Sequence, residues 1–280
     1  MLDTTKERYS MEDLLDLMNF LRSEKGCPWD KEQTHQTLRK NVIEEAYEVV
    51  DAIDDGQPHR LADELGDLLL QVVFHCQIAR ERNEFDFNDV ADHLSKKLIS
   101  RHTHLFGETQ DEADSPEKVL DLWEKNKRAE KQEQSQTQAM NGIPRVLPAL
   151  QRAYKIQKKA SHVGFDWEER SAVLAKIKEE TDEVEAAARN LEQSGKLCSL
   201  ELELEVEMEV GDLLFAVVNY ARFLKVDPEI ALDKASRKFI DRFGFVEDQV
   251  LAAGKRMEQM TLEELDCIWN EAKAAAGFHK

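Results

Sequence analysis

Apolar residues recur along this chain at helical spacing almost from end to end. Met11, Leu14, Leu15, Met18 and Leu21 follow an i, i+3, i+4, i+7 rhythm, and Val42, Ala46, Val49 and Ile53 repeat it. Helix starts are frequent. Ser115-Pro116 and Asp227-Pro228-Glu229 each read as an N-cap with proline in the first turn, and Thr261 with Glu264 has capping-box spacing. Only the stretch Glu201 to Val210 alternates strictly between acidic and apolar residues, as a strand would. Yet Leu202, Val206, Val210, Leu213 and Val217 form a helical stripe, while Glu205, Glu209 and Asp212 share another face. An isolated acidic strand has no evident partner, so this stretch is also predicted helical. Eleven glycines and six prolines are too few for the turns of an all-β fold. The predicted fold class is all-α.

The plan is written twice. Glu44-Glu45-x-x-Glu48 is followed by Glu64-x-x-Asp67, and Glu179-Glu180-x-x-Glu183 by Glu209-x-x-Asp212. Gly66-Asp67-Leu68-Leu69-Leu70 matches Gly211-Asp212-Leu213-Leu214-Phe215. Lys97 and Arg101 are four apart, as are Lys238 and Arg242. Trp29-Asp30 and Asp166-Trp167 each close a short glycine-containing turn before the acidic helix. A duplication of such long period means two tandem copies of one helical unit. The segment 127–142, rich in Gln, Glu, Lys and Ser, reads as a polar linker or frayed helix. The expected domains are therefore 1–126 and 143–280.

Charge narrows the partners. Thirty-eight basic against 57 acidic residues give a net charge of −19, which argues against nonspecific nucleic-acid binding and against anionic membranes. No apolar run approaches membrane-spanning length, and the polar start carries no signal-peptide pattern. The four scattered cysteines lack any Cys-x-x-Cys pair, and reduced thiols in a cytoplasmic protein are expected.

A lone Glu-Glu-x-x-Glu is ordinarily a solvated helix face. Here the whole constellation recurs, and the second acidic pair of each copy abuts an apolar run. Carboxylates at the border of a buried face are costly unless paired or metal-bound. Side chains three or four apart share a helix face, so two adjacent helices would aim four carboxylates at one point. All-oxygen donors select hard cations, Mg²⁺ or alternatively Mn²⁺. A di-iron bundle would want Glu-x-x-His, whereas the partners here are Glu48, Asp67, Glu183 and Asp212. Lys176, Lys238 and Arg242 are ordinary salt-bridging residues taken singly; as a set they suit the oxygens of a polyphosphate. There is no Walker loop and no Gly-x-Gly-x-x-Gly. His102 and His104 have no spacing that supports zinc and are expected to be packing or surface residues.

Gly26-Cys27-Pro28-Trp29-Asp30, the two acidic blocks and Val163-Gly164-Phe165-Asp166-Trp167 together resemble the MazG family of nucleoside triphosphate pyrophosphohydrolases, over nearly the whole chain. The resemblance implies paired acidic helices, homodimers with bundles drawn from both protomers, and Mg²⁺-dependent hydrolysis of nucleoside triphosphates, ATP among them, to monophosphate and pyrophosphate. It implies that Glu180, Glu183, Glu209 and Asp212 are metal ligands, with Glu179 supporting the site or orienting water. Lys176, Lys238 and Arg242 would contact phosphates, and Trp269 the nucleotide; Asn219, read from the comparison of the two halves, is a polar side chain two turns along from Asp212 and is expected to face the substrate. In the first copy Glu45, Glu48, Glu64 and Asp67 match the ligand positions, and Lys97 and Arg101 the basic ones. Phe74 stands where the second copy has Asn219, and Trp269 has no evident counterpart, so the C-terminal half is expected to be the main catalytic site. Ser236 replaces an asparagine frequent in the family and bears on a substrate contact. The alternatives are a non-catalytic helical dimer that senses nucleotide or a protein partner, and a purely structural acidic bundle.

Overall fold

The computed structural model describes residues 4–107, 114–130, 135–194 and 200–274. Among them are thirteen α-helices, one short 3₁₀ turn (Met257–Gln259) and no strand. Met1–Ala129 and Glu130–Lys280 form two compact units.

The first unit comprises α1 (Met11–Leu21), α2 (Pro28–Glu32), α3 (His35–Asp55), α4 (Pro58–Glu81), α5 (Phe87–Arg101), α6 (Thr103–Phe106) and α7 (Pro116–Glu130). Ser10, Thr34 and Asp86 cap α1, α3 and α5 by accepting from the first-turn backbone. Gly56 ends α3 with φ +65, a left-handed conformation that glycine adopts without strain, and lets α4 fold back on α3. On α3 the inward line is Leu38, Val42, Glu45, Val49 and Ala52, so a glutamate sits in the middle of a core-facing stripe. The core gathers Met18, Leu38, Val73, Phe74 and Ile78.

The second unit comprises α8 (Gln136–Asn141), α9 (Ala149–Ser161), α10 (Arg170–Gln193), α11 (Leu200–Phe223), α12 (Pro228–Ala252) and α13 (Leu262–Ala274). α10 packs on α11 much as α3 packs on α4. Its inward line is Val173, Ile177, Glu180, Val184 and Ala187, the same spacing with the same central glutamate. The expected caps form: Asp227 accepts from Glu229 and Ile230, and Thr261 and Glu264 cap reciprocally. The alternating Glu201 stretch lies inside α11, as a helix. Its stripe is rotated from the expected one. Val210 and Val217 are 39% and 45% exposed, whereas Glu209 takes the inward place between Val206 and Leu213. Within the polar segment 127–142, α7 runs on to Glu130 and α8 starts at Gln136; residues 131–134 and Cys198 lie outside the described residues.

Candidate active site

Two helices build the acidic centre of the second unit. α10 contributes Glu180 and Glu183, α11 contributes Glu209, and one carboxylate oxygen of each lies within 4.8 Å of the others. Glu180 is only 6% exposed. A buried carboxylate on a core-facing line needs a counter-charge, and Lys176 supplies it one turn earlier. Its Nζ lies 2.6 Å from Glu180 Oε1 and donates to Glu179 Oε1 at 2.9 Å. The hydrogen bond from Lys176 holds the Glu180 carboxyl below the usual range, and the two carboxylates together hold the Lys176 ammonium far above its own. Glu183 is pushed up by its hydrogen bond to Glu180 and by the surrounding negative charge. One basic residue thus offsets only part of the charge in this cluster.

Asp212, one turn beyond Glu209, lines a cleft of about 610 Å³ beside Glu180 and Lys176. That volume is ordinary for a small-molecule site. Asn219 lines the same cleft two turns along α11, with Phe215 and Ala216 between. Gly164, at φ +80, turns the chain so that Phe165, Asp166 and Trp167 form another part of the wall. Arg222 clamps that turn to α11. Its guanidinium donates twice to the Asp166 carboxylate, at 2.9 and 2.5 Å, and its Nε donates to Asn219 Oδ1 at 3.0 Å. With its oxygen engaged, Asn219 keeps its amide N–H donors for the cleft.

Not every expected residue comes here. Lys238 is exposed on α12, and Arg242 is half-buried one turn on. Neither lines the cleft, nor does Trp269, whose ring lies 5.1 Å from that of Phe239. Ser236 turns its hydroxyl back to the Leu232 carbonyl. Among the polar cleft residues, Arg222 and Gln157 carried no role in the sequence reading, and Asp166 entered it only as part of a turn and a family motif. A charged residue in the last turn of an apolar helix was the available signal for Arg222; Gln157, within a Lys-rich helix, offered none.

The first unit repeats the acidic centre with different surroundings. Glu45, Glu48 and Glu64 approach within the same 4.8 Å. Burial, then the charges of Asp67 and Glu48, push Glu45 up. Gln71, standing where the second unit has Ala216, donates to Glu45 Oε1 at 3.4 Å, and Arg60 lies 3.7 Å from Glu64. Phe74, in the place of Asn219, is 3% exposed, with Trp29 edge-on at 6.4 Å and the Arg22 guanidinium over its ring at 5.4 Å. Arg101 lies over Trp123 of α7 at 5.2 Å, and His102 packs edge-on against the same ring. A helix beyond the basic pair therefore carries a tryptophan in both units: Trp123 on α7, after the short α6, and Trp269 on α13. Lys97 is exposed.

Crowded carboxylates, all presenting oxygen and only partly offset by a basic neighbour, are a donor set that fits a hard divalent cation.

The MazG nucleotide pyrophosphohydrolase domain matches the chain twice, over residues 33–106 and 168–250, and both matches include an acidic block. The chain is 44% identical over 262 residues to the nucleoside triphosphate pyrophosphohydrolase/pyrophosphatase MazG of Thermotoga maritima, covering 94% of this chain and 95% of that protein. It is 45% identical over 264 residues to the nucleoside triphosphate pyrophosphohydrolase of Escherichia coli K12, covering 94% and 97%. It is 43% identical over 255 residues to YabN of Bacillus subtilis, covering 90% of this chain and 49% of that one. The chain belongs to the MazG nucleotide pyrophosphohydrolase family and carries its domain twice.

Proposed function

We propose that this chain is a Mg²⁺-dependent nucleoside triphosphate pyrophosphohydrolase whose main catalytic site is the second unit, working as a homodimer. The observation that carries the proposal is the Glu180–Glu183–Glu209 cluster opening onto a cleft large enough for a nucleotide. Glu180, Glu183, Glu209 and Asp212 would hold the cation. When bound, Mg²⁺ neutralises triphosphate charge and makes water a stronger acid. Glu179, on the solvent side of Glu180, accepts a proton from the attacking water or orients it. Lys176, already shared between Glu179 and Glu180, exchanges part of that contact for a phosphate oxygen. Water adds to the α-phosphorus, its bond to the bridging oxygen breaks, and pyrophosphate departs with its charge met by Lys238 and Arg242. Mn²⁺ satisfies the same donors.

The first unit favours a second reading for itself alone. Phe74 fills the place of a polar cleft residue, and Gln71 and Arg60 already engage its carboxylates. That supports a weaker or structural copy, or a nucleotide or partner sensor without turnover.

A panel of ribo- and deoxyribonucleoside triphosphates with Mg²⁺, analysed for products, tests the reaction. Equimolar monophosphate and pyrophosphate are expected; release of orthophosphate alone would exclude it. Glu180→Gln and Glu183→Gln should each lower turnover by about two orders of magnitude or more with helix content unchanged, as expected when a ligand that positions catalytic charge is removed. Glu45→Gln should have a far smaller effect. The reverse order would move the main site to the first unit.

A further inference from the structure

Gln157 is a buried amide with one half of its hydrogen bonding unmet. It lies on α9, is 6% exposed and lines the cleft. Its Nε2 donates to the Phe215 backbone carbonyl on α11 at 2.8 Å. A carbonyl can only accept, so this bond fixes which end of the amide is nitrogen. The other end, Oε1, is buried and has no hydrogen-bond partner among the described residues. Leaving a buried acceptor unpaired is costly, so such an atom on a cleft wall calls for a donor.

Its position says which part of a ligand would bring that donor. Along α11, Asp212, Phe215 and Asn219 mark successive turns, so Asp212 and Asn219 are separated by about 10 Å of helix. The charged groups Lys176, Glu180 and Asp212 belong to the metal and phosphate chemistry. The remaining wall is largely apolar, with Ile156, Ala160, Phe215 and the aromatic Phe165 and Trp167, and its further ion pair, Arg222 with Asp166, is matched within itself. Flat apolar walls with one fixed acceptor suit a nucleobase. The base donor that projects furthest from its ring, and so reaches an acceptor recessed in a wall, is an exocyclic amine.

We propose that Gln157 is a specificity-determining residue whose Oε1 accepts a hydrogen bond from the exocyclic amine of the bound base, so that the cleft selects amino-bearing bases. This rests on the nucleotide reading of the cleft but not on its hydrolysis. A polar wall built for a donor discriminates against a ligand lacking it, because the acceptor is then left unmet.

The test compares nucleotides differing in one amine: AMP with purine riboside monophosphate, GMP with IMP, and CMP with its 4-deamino analogue. Equilibrium binding to the full chain is measured by calorimetry, which needs no turnover. In at least one pair the amine-bearing member should bind about tenfold more tightly, in line with a neutral hydrogen bond to a buried partner. Gln157→Met should reduce that ratio to within about twofold while leaving the deamino partner's affinity nearly unchanged. Circular dichroism of Gln157→Met should match the wild type, so that a lost preference is not lost folding. Equal binding within every pair, no measurable binding of any pair, or a preference that survives Gln157→Met would overturn the proposal. Amine-selective binding without pyrophosphate release from the corresponding triphosphate would keep it and sink the hydrolase reading instead.

Discussion

Glu180 shows how one residue serves both fold and site. It occupies a core-facing place on α10, where an apolar side chain would stabilise the unit more, and it is tolerated through Lys176. Removing either partner alone leaves a buried or crowded charge. Lys176→Met should therefore lower the thermal midpoint of the metal-free protein, and it should raise the Glu180 carboxyl from its depressed value because the hydrogen bond holding it down is gone. Adding Glu180→Gln to Lys176→Met should recover much of that loss, since the neutral amide no longer needs a cation. Metal-free thermal melts of the two single variants and the double variant check this. A double variant as destabilised as the sum of the singles would show that the pair contributes nothing jointly. With Mg²⁺ present the wild type should gain stability, by about 2.7 kcal/mol when the ion exceeds its dissociation constant a hundredfold.

At the scale of elements, helices and carboxylates were legible in sequence for one reason: both depend on spacing along a single helix. Glu45 and Glu180 recur at the same register in α3 and α10, so their shared face could be read without coordinates. What a neighbouring helix contributes could not. Gln157 is defined by the Phe215 carbonyl 58 positions away, and Arg222 by Asp166, 56 positions away. The rotation of α11 that exposes Val210 and Val217 is set by how it meets α10, since both of its faces carry apolar residues. The same logic governs α1 and α4. Arg22, 9% exposed, donates to both Glu81 oxygens at 2.8 and 2.7 Å, and to the carbonyls of Asp30 and Gln33. It thereby ties the Gly26–Asp30 turn to α4. The Arg22 hydrogen bonds hold the Glu81 carboxyl below its ordinary value of 4.5. A depressed folded-state value means stability that is fully present above the unfolded value and is lost as the pH falls through the folded one. The first unit should therefore weaken below about pH 4.5. Glu81→Gln should flatten that dependence while lowering stability at neutral pH. Denaturant melts at a series of pH values check it, and an unchanged slope in Glu81→Gln would remove Glu81 from the account.

For the molecule as a whole, α11 carries more apolar surface than one chain covers. Opposite its inward line lie Leu204 and Met208, 48% and 67% exposed, with Leu214 at 52%. On α12, Phe239 and Ile240 are 56% and 66% exposed. Large apolar side chains on a second face of a helix are normally covered, and fully burying each contributes about 1.5–3 kcal/mol. A second copy of the chain is the proposed cover. The net charge of −19 acts against it, because two like-charged copies repel over the Debye length. Association should accordingly tighten as salt rises from about 0.02 to 0.3 M, the reverse of an interface held by ion pairs. Leu204→Glu combined with Met208→Glu adds charge to the apolar face without touching the inward line. Light scattering should then report one chain mass where the wild type gives two, with helix content retained. Those two substitutions should also lower pyrophosphate release if Lys238 and Arg242, which do not line the cleft of their own unit, meet the departing phosphates only in the assembled bundle. A monomeric double variant with wild-type turnover would separate catalysis from assembly and require Lys238 and Arg242 to act within one chain or not at all.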